Sequence, residues 1–339
     1  MERQFGAYPS RDQFVAYLER YVDREGLTVR VNSPVVRIDR AAAGWSVILG
    51  DEQALSARGV IVATGYDAKP FIPPWPGAGD YTGTLMHAVD YRNSEPFTGR
   101  EVLVIGAGNT ASDVATDLAQ SSPRVLVSMR TPPNIFPRRF FGTHAQYGAI
   151  LGEQLPGVGD RMGFMVQRLL YGDLTKYGLP RPKEGIHAHF RHSGHGPMVD
   201  EGFVKLVKNG SIEIVPAVAS FDGSNVRLAD GRAVRPEVVI AATGYARDLE
   251  RLVGHLDVLT PNGCPVVDGT RSPPGAAGLY FIGFVRKMGG QLWPMRSEAK
   301  RIARELSTVL EHQPRRRACA EEVVVRGSVL PPDASQRFG

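Results

Sequence analysis

Six residues near the first third of the chain, Gly106-Ala107-Gly108-Asn109-Thr110-Ala111, have the types and spacing that hold a pyrophosphate. In such a G-x-G-x-x-A turn the first glycine allows a tight bend. The second removes the side chain that would keep a phosphate off the main chain, and the alanine lets the next helix lie close to the preceding strand. The helix N-terminus then offers free N–H groups and the positive end of its dipole to the anion. An NAD site calls for Asp or Glu about 20 residues further on, at the end of the next strand, to bind the ribose 2′-OH. Here that stretch reads Ser128-Met129-Arg130-Thr131, with no acid. A guanidinium matches a 2′-phosphate through a planar, charge-assisted fork, so Arg130, beside Thr131, points to NADPH rather than NADH.

A glycine turn by itself can do no more than pack a helix on a sheet. Its surroundings argue for the nucleotide site. Glu101 to Ile105 is a short apolar run that reads as a buried parallel strand. Ala111, Val114, Ala115, Leu118 and Ala119 recur at helical spacing, and Arg124 to Ser128 reads as a second strand. Strand, turn, helix and strand fit within about 30 residues, as a dinucleotide unit requires.

Other residues with chemical potential lie on either side. Gly59 to Ala63 reads as a buried strand ending in Thr64-Gly65-Tyr66, and Val238 to Ala242 as another ending in Thr243-Gly244-Tyr245. The repeated A-T-G-Y marks two strand ends where a glycine permits a ligand to approach or the chain to change direction. Because the two copies bracket the nucleotide unit, they mark where the chain leaves and re-enters a neighbouring domain. Tyr81, Gly83, His87 and Tyr91 form a Y-x-G-x-x-x-H-x-x-x-Y pattern between them. His87 has the chemistry of a base, but an ordering role, holding the crossing segment by hydrogen bonds, is preferred. His187, His189, His192 and His195 cluster without Cys or carboxylate at a ligand spacing, so a polar loop is expected and no metal is assigned. The irregular stretch 132–197 around them, with Phe136, Phe140, Phe141 and Tyr147, is a candidate cover for a substrate pocket.

Further elements complete the frame. Ser10 and Gln13 make a capping box for a helix whose apolar face is Phe14, Tyr17, Leu18, Tyr21 and Val22, ended by Gly26. Leu27 to Val31, Val35 to Ile38 and Trp45 to Leu49 read as short strands. Residues 211–235 hold short strands and a turn at Ala229-Asp230-Gly231-Arg232. Gly278 to Phe284 is a last buried strand, Pro294 to Leu310 a last helix, and from Gln313 the periodicity fades into a tail with a short strand at Val323 to Val325.

With 339 residues and 42% apolar content, the chain is long enough for two domains and is ordinary for a water-soluble protein. Its apolar runs are far short of a membrane span, and Met1-Glu2-Arg3-Gln4-Phe5 opens no targeting segment. Cys264 and Cys319 cannot form a CxxC pair, so a cytoplasmic, reducing location is expected. The net charge of +5 is spread along the chain, apart from Arg315-Arg316-Arg317, and an anionic cofactor accounts for part of it. Neither nucleic acid nor membrane is expected as a partner.

Together these motifs resemble the flavin-containing monooxygenases. The Tyr81/Gly83/His87/Tyr91 pattern matches the identifying sequence of that family, and the two A-T-G motifs and the glycine turn between them match in order and spacing from about residue 8 to 310. Tyr91-Arg92 stands where the related Baeyer–Villiger enzymes have W-P. Within the family the plant-type YUCCA branch looks nearest, through Gly172-Asp173-Leu174-Thr175, Gly178-Leu179-Pro180-Arg181-Pro182 and Gly196-Pro197-Met198-Val199-Asp200-Glu201-Gly202.

The resemblance implies an α/β protein with two Rossmann-like, three-layer nucleotide-binding domains. Residues 1–95 and 246–312 would form the FAD domain, 96–245 an inserted NADPH domain and 313–339 a tail. It implies NADPH and FAD as cofactors, with a small organic substrate and O2 as partners and a homodimer as a candidate assembly. NADPH would reduce the flavin, and O2 would add to give a C4a-hydroperoxide that oxygenates an N, an S or a 2-oxo acid. Gly106, Gly108, Asn109, Thr110 and Ala111 would cradle the NADPH pyrophosphate, and Arg130 with Thr131 the 2′-phosphate. Thr64, Gly65 and Gly283 would lie beside flavin, Gln291 and Leu292 near its ring edge, and Thr243-Gly244 near NADP. No individual catalytic residue is implied.

The family also opens with a first G-x-G-x-x-G for FAD, and no such fingerprint precedes residue 106. The FAD domain is therefore expected to be N-terminally incomplete and to bind FAD poorly, impairing activity. The alternatives are a non-catalytic NADP-binding remnant and another NAD(P)/FAD-dependent oxidoreductase. A disulfide reductase is disfavoured by the missing CxxC.

Overall fold

The computed structural model describes residues 9–140, 143–144, 152–267, 269–288 and 290–312. They fall into two compact units. The first comprises residues 9–68, 247–285 and 294–312, and the second residues 69–246 and 286–293.

The first unit begins with α1 (Arg11–Glu25). Ser10 Oγ accepts from Gln13 N at 3.2 Å and Gln13 Oε1 accepts from Ser10 N at 2.9 Å, which closes the expected capping box. Gly26 ends the helix in the left-handed region, and no residue of α1 is buried. β1 (Val35–Ala41), β2 (Gly44–Leu49) and β3 (Ala54–Ala57) form an antiparallel meander, with Trp45, Val47 and Leu49 of β2 buried. β4 (Val60–Val62) follows.

The second unit is built on a five-stranded parallel sheet. Its elements in chain order are β5 (Lys69–Pro70), β6 (Thr84–His87), β7 (Glu101–Ile105), α2 (Asn109–Leu118), β8 (Arg124–Ser128) and β9 (Ile135–Pro137). Then come β10 (Arg139–Phe140), β11 (Thr143–His144), α3 (Pro156–Tyr171), α4 (Ile186–Ser193), β12 (Met198–Asp200) and α5 (Phe203–Lys208). β13 (Ile212–Val215), β14 (Val218–Asp222), β15 (Asn225–Leu228), β16 (Ala233–Val234), β17 (Val238–Ala241) and β18 (Tyr245–Ala246) complete it.

The sheet order is β13-β8-β7-β17-β6, with every neighbouring pair parallel. The period of two along a strand sorts its side chains by face. Val102, Val104, Val125 and Val127 meet α2 and α5 through Ala111, Val114, Leu118, Phe203 and Val207. Leu103, Ile105 and Leu126 meet Phe221, Val226 and Leu228 of the β14–β16 meander. Burying each large aliphatic side chain in this way contributes up to about 1.5–3 kcal/mol. With both faces covered, the strands must be apolar throughout, which is why Glu101 to Ile105 and Val238 to Ala241 show no alternation in sequence.

Back in the first unit, α6 (Glu250–Val253) packs near β1, and β19 (Leu279–Phe281) pairs in parallel with β4, Leu279 opposite Val60 and Phe281 opposite Val62. α7 (Leu292–His312) closes the described chain; its residues from 294 on belong to this unit. Ile38, Trp45, Val62, Leu252, Leu279 and Phe281 form one core.

Two sequence expectations need correction. Leu27 to Val31 is not a strand, and only Val29 makes a strand-type bridge. Asn32 adopts a left-handed φ of 54°, which interrupts an extended run. The expected polar histidine loop is largely helical, because α4 carries His187, His189 and His192. Its N-terminus is capped from outside by Asp160, whose carboxylate accepts from His187 N at 2.7 Å and Ala188 N at 3.3 Å. The strand at Val323 to Val325, the tail, Phe141 and Tyr147 lie outside the described residues.

Candidate nucleotide and flavin sites

In the second unit the C-terminal ends of β8, β7 and β17 lie side by side, the edge where parallel α/β sheets bind ligands. Gly106 N donates to Ser128 O at 3.0 Å, and Ala242 N donates to Ile105 O at 2.8 Å. A Cβ at Gly106 would lie 2.4 Å from Ala242 O and 3.2 Å from Ala111 Cβ, so only glycine fits this crossing. Gly108 is the N-cap of α2 and supplies no side-chain cap. A Cβ there would meet nothing within 4 Å. The first turn of α2 therefore starts with no side-chain acceptor, beside open space. That is the chemistry of an anion cradle, and it fits a pyrophosphate.

Arg130 and Thr131 follow β8 and are exposed, while Thr243 and Gly244 follow β17. The fold thus brings Gly106 to Ala111, the Ser128–Thr131 segment and the second A-T-G to one sheet edge. Asn109 adds something the sequence did not suggest. Its Oδ1 accepts from Val199 N at 2.7 Å, which ties β12 to the glycine turn and leaves the residue's own N–H at the helix start. β12 pairs in parallel with β9, and Arg138 and Glu201, which follow the two strands, form an ion pair. Asp113 on α2 has its carboxyl pushed above the usual range, chiefly by desolvation and then by Glu201, with Arg138 opposing.

His87 is 4% exposed and both ring nitrogens are engaged. Nδ1 accepts from Val89 N at 3.0 Å, so Nε2 keeps the proton and donates to Gly244 O at 3.0 Å. Gly244 O also accepts from Phe71 N at 3.0 Å, and β18 pairs antiparallel with β5. Tyr81 OH donates to Pro236 O, and Tyr91 OH donates to Asp117 Oδ2 at 2.5 Å. Burial first, then the Asp117 hydrogen bond and charge, hold the Tyr91 phenol well above its ordinary range. A Cβ at Gly83 would lie 2.6 Å from the Tyr81 ring and 2.7 Å from Glu237 O. His87 thus orders the chain at the second A-T-G, Tyr81 and Gly83 at the opposite, N-terminal end of β17, and Tyr91 near the end of α2.

In the first unit Thr64-Gly65 and Gly283 end neighbouring parallel strands. Ile282 N donates to Val62 O at 3.0 Å, which extends the β4–β19 ladder to this end. Thr64 Oγ1 is buried and has no hydrogen-bond partner. A Cβ at Gly65 would meet nothing within 4 Å. An orphaned buried hydroxyl beside open main chain fits a ligand edge that can hydrogen-bond, such as a flavin ring. In the second unit Gln291 Oε1 is likewise buried without a partner, whereas Leu292 is 67% exposed.

One further residue, Arg247, escaped the sequence reading. In the first unit the Arg247 guanidinium lies 4.2 Å over the Tyr66 ring and Nη1 donates to Asn262 O at 2.7 Å. Tyr66 directly follows the first A-T-G and Arg247 comes three residues after the second. In the second unit His187, 3% exposed, donates from Nδ1 to Asp160 Oδ1 at 2.9 Å, which leaves it a packing role. The second unit also has a groove of about 440 Å³ lined by Tyr171, Asp200, Val204, Lys205, Lys208 and Asn209, none of them a sequence-selected site residue.

Comparison with known proteins bears on the fold and the family. The pyridine nucleotide-disulphide oxidoreductase family pattern matches residues 3–136. Solved structures similar to this chain include a flavin-containing monooxygenase from Stenotrophomonas maltophilia (TM-score 0.60, 21% identity, 90% of this chain and 77% of that one). Another is cyclohexanone monooxygenase from Rhodococcus sp. Phi1 bound to NADP+ (TM-score 0.64, 17% identity, 91% and 72%). These likenesses show an α/β fold of the kind seen in those flavin-dependent enzymes.

The sequence relatives narrow this further. Indole-3-pyruvate monooxygenase YUCCA1 of Oryza sativa subsp. japonica is 32% identical over 308 residues, covering 89% of this chain and 75% of the relative. Probable indole-3-pyruvate monooxygenase YUCCA3 of Arabidopsis thaliana is 31% identical over 296 residues, covering 84% and 68%. The chain belongs to the flavin-containing monooxygenase family, with YUCCA-like relatives. Among the described residues no helix is long and apolar enough to cross a membrane.

Proposed function

We propose that the chain is an NADPH- and FAD-dependent monooxygenase that oxygenates a small organic molecule at an N, at an S or at the carbonyl of a 2-oxo acid. The observation that carries this reading is the uncapped start of α2 at Gly108, open in front and flanked by exposed Arg130 and Thr131. The second unit, residues 69–246 and 286–293, acts as the NADPH domain, taking in β6 beside β17 where the sequence put the boundary at 95, and the first unit, residues 9–68, 247–285 and 294–312, belongs to the flavin domain. Gly106, Gly108, Asn109, Thr110 and Ala111 bind the pyrophosphate through main-chain N–H groups. Arg130 and Thr131 select the 2′-phosphate, and Thr243-Gly244 sit beside the coenzyme. Thr64, Gly65 and Gly283 face the flavin, with Gln291 and Leu292 at its edge.

FAD, when bound, accepts hydride from NADPH and activates O2. The chain's own part is to hold each cofactor at its own strand ends and to keep water from it. His87 serves this indirectly by fixing the carbonyl of Gly244. The names of the sequence relatives, indole-3-pyruvate monooxygenases, favour the 2-oxo acid among the three substrate types. A cytoplasmic location and a homodimer belong to the same reading.

The test is a purified chain incubated with FAD and desalted. A flavin band only weakly retained, together with slow O2 consumption that depends on NADPH and is slower still with NADH, is the expected result, because no first glycine fingerprint precedes residue 106. No retained flavin and no coenzyme oxidation would overturn it.

A further inference from the structure

We infer that Glu298 is a positioning residue for the flavin-facing turn at Gly283, an assignment that rests on the reading of the β4–β19 strand ends as the flavin side. Glu298 lies on α7 and is 6% exposed. A carboxylate is rarely that buried unless its oxygens are bound. Here Oε2 accepts the main-chain N–H of Gly283 at 3.1 Å.

Three segments distant in sequence close around this contact. A Cβ at Gly269 would lie 2.8 Å from the same Oε2 and 2.7 Å from Phe281 O, so a side chain at 269 would displace the carboxylate or the end of β19. Met295, three residues before Glu298 on α7, also lies against Gly283, its Cε 3.4 Å from where a Cβ would be. Gly283 itself has a φ of +82°, a conformation that needs holding as well as permitting.

The turn is also registered against the first A-T-G. Ile282 N is bound to Val62 O, and Gly283 N to Glu298, so two successive N–H groups are both committed. Whatever the Gly283 turn presents toward Thr64 and Gly65 is therefore set by the Glu298 acceptor. Glutamine has the same length and keeps an acceptor oxygen without the charge. Aspartate keeps the charge but is one methylene too short, and alanine removes both. A positioning role predicts that reach and acceptor matter more than charge.

The experiment titrates FAD into the full chain, freed of flavin, for wild type, Glu298→Gln, Glu298→Asp and Glu298→Ala. Flavin fluorescence quenching gives the dissociation constant. The visible circular dichroism of the bound flavin reports its surroundings. Thermal unfolding without FAD records plain loss of stability, with Ile302→Val on the same helix as a packing control. Loss of a hydrogen bond to a charged group corresponds to roughly a 10-fold weakening. Glu298→Ala and Glu298→Asp are expected to weaken FAD by about that factor and to change the shape of the circular-dichroism band. Glu298→Gln should keep the wild-type band and bind within about 3-fold of wild type. Ile302→Val should lower the unfolding temperature and leave the band alone.

A wild-type band and affinity in Glu298→Asp, or in a folded Glu298→Ala, overturns the assignment. So does a Glu298→Gln variant as impaired as the shorter one. If Glu298→Ala does not fold, the Asp and Gln variants still decide the question. Failure of the wild type itself to bind FAD is seen in the first arm; it sinks the flavin reading of the strand ends and this assignment with it.

Discussion

The α-carbon of Gly106 lies against the carbonyl oxygen of Ala242, close enough that a Cβ at 106 would stand 2.4 Å from it. This contact joins the end of β7 to the end of β17 and so joins the glycine turn to the second A-T-G. The neighbour is main chain, which cannot swing aside as a side chain can.

Gly106→Ala should therefore act on both stability and coenzyme binding. Relieving the clash means moving β7 or β17, a cost of about 1–3 kcal/mol. The same shift misplaces the first turn of α2, so NADPH affinity should fall at least about 10-fold. Thermal unfolding and calorimetric titration with NADPH measure the two effects. Gly108→Ala, where a Cβ meets nothing, should be far milder in unfolding; equal destabilisation by the two alanines would contradict this account.

His87→Ala should leave the Val89 N–H without its acceptor and the Gly244 carbonyl with one donor instead of two. For buried partners this corresponds to about 1–3 kcal/mol, read as a fall in the urea midpoint. If His87 were instead a base toward substrate, the variant would lose turnover while keeping its urea midpoint. That outcome would refute the ordering role.

The nucleotide half of the fold was legible because its signals are local. Glu101 to Ser128 carries strand, turn, helix and strand in one short stretch, and the observed elements Glu101–Ile105, Asn109–Leu118 and Arg124–Ser128 follow that reading. Ser10 and Gln13 gave the start of α1 for the same reason. What stayed hidden depends on residues far apart in sequence. Asp160 turns 186–193 into a helix from 27 residues away, and nothing around His187 announces it. Glu298 looks like an ordinary helix-surface acid until β19 is placed beside α7. The side chain of Asn109 goes to a strand 90 residues on, a contact the glycine-turn motif does not announce.

That last contact gives a separate prediction. Asn109→Ala removes the acceptor for Val199 N, which should cost about 0.5–1.5 kcal/mol in unfolding free energy. It should weaken NADPH and NADH equally and only modestly, because the helix N–H groups that face the anion belong to the main chain. A large loss confined to NADPH would place the side chain on the coenzyme after all.

Arg130→Ala tests the coenzyme preference. A guanidinium on a 2′-phosphate contributes a charge-assisted bond of about 1.5–3 kcal/mol. NADPH affinity should then fall about 10- to 100-fold, while NADH, which lacks that phosphate, should change little. The NADPH loss should also shrink as salt rises, since Arg130 is exposed and screened. Equal losses for both coenzymes would remove Arg130 from the 2′-phosphate site.

The alkaline limb of stability offers a prediction independent of any ligand. Burial, helped by the charges of Glu101 and Glu237, pushes the Tyr81 phenol up to about 12 from an ordinary value of 10.0. The folded state thus holds this proton more tightly than the unfolded chain does. Between the two values the native protein binds more protons than the unfolded one, so stability must fall as pH rises. The contribution is complete below about pH 10 and is lost on passing through about pH 12. Tyr81 is half-buried, so solvent screening keeps the size of the effect below that of a fully buried group. Urea unfolding followed across this range should show wild-type stability declining more steeply than that of Tyr81→Phe, which has no proton to lose. The variant also gives up the hydroxyl bond to Pro236 O, and so should start lower at neutral pH and converge with wild type at the alkaline end. Parallel pH curves for the two proteins would show that the Tyr81 phenol is not held in this way.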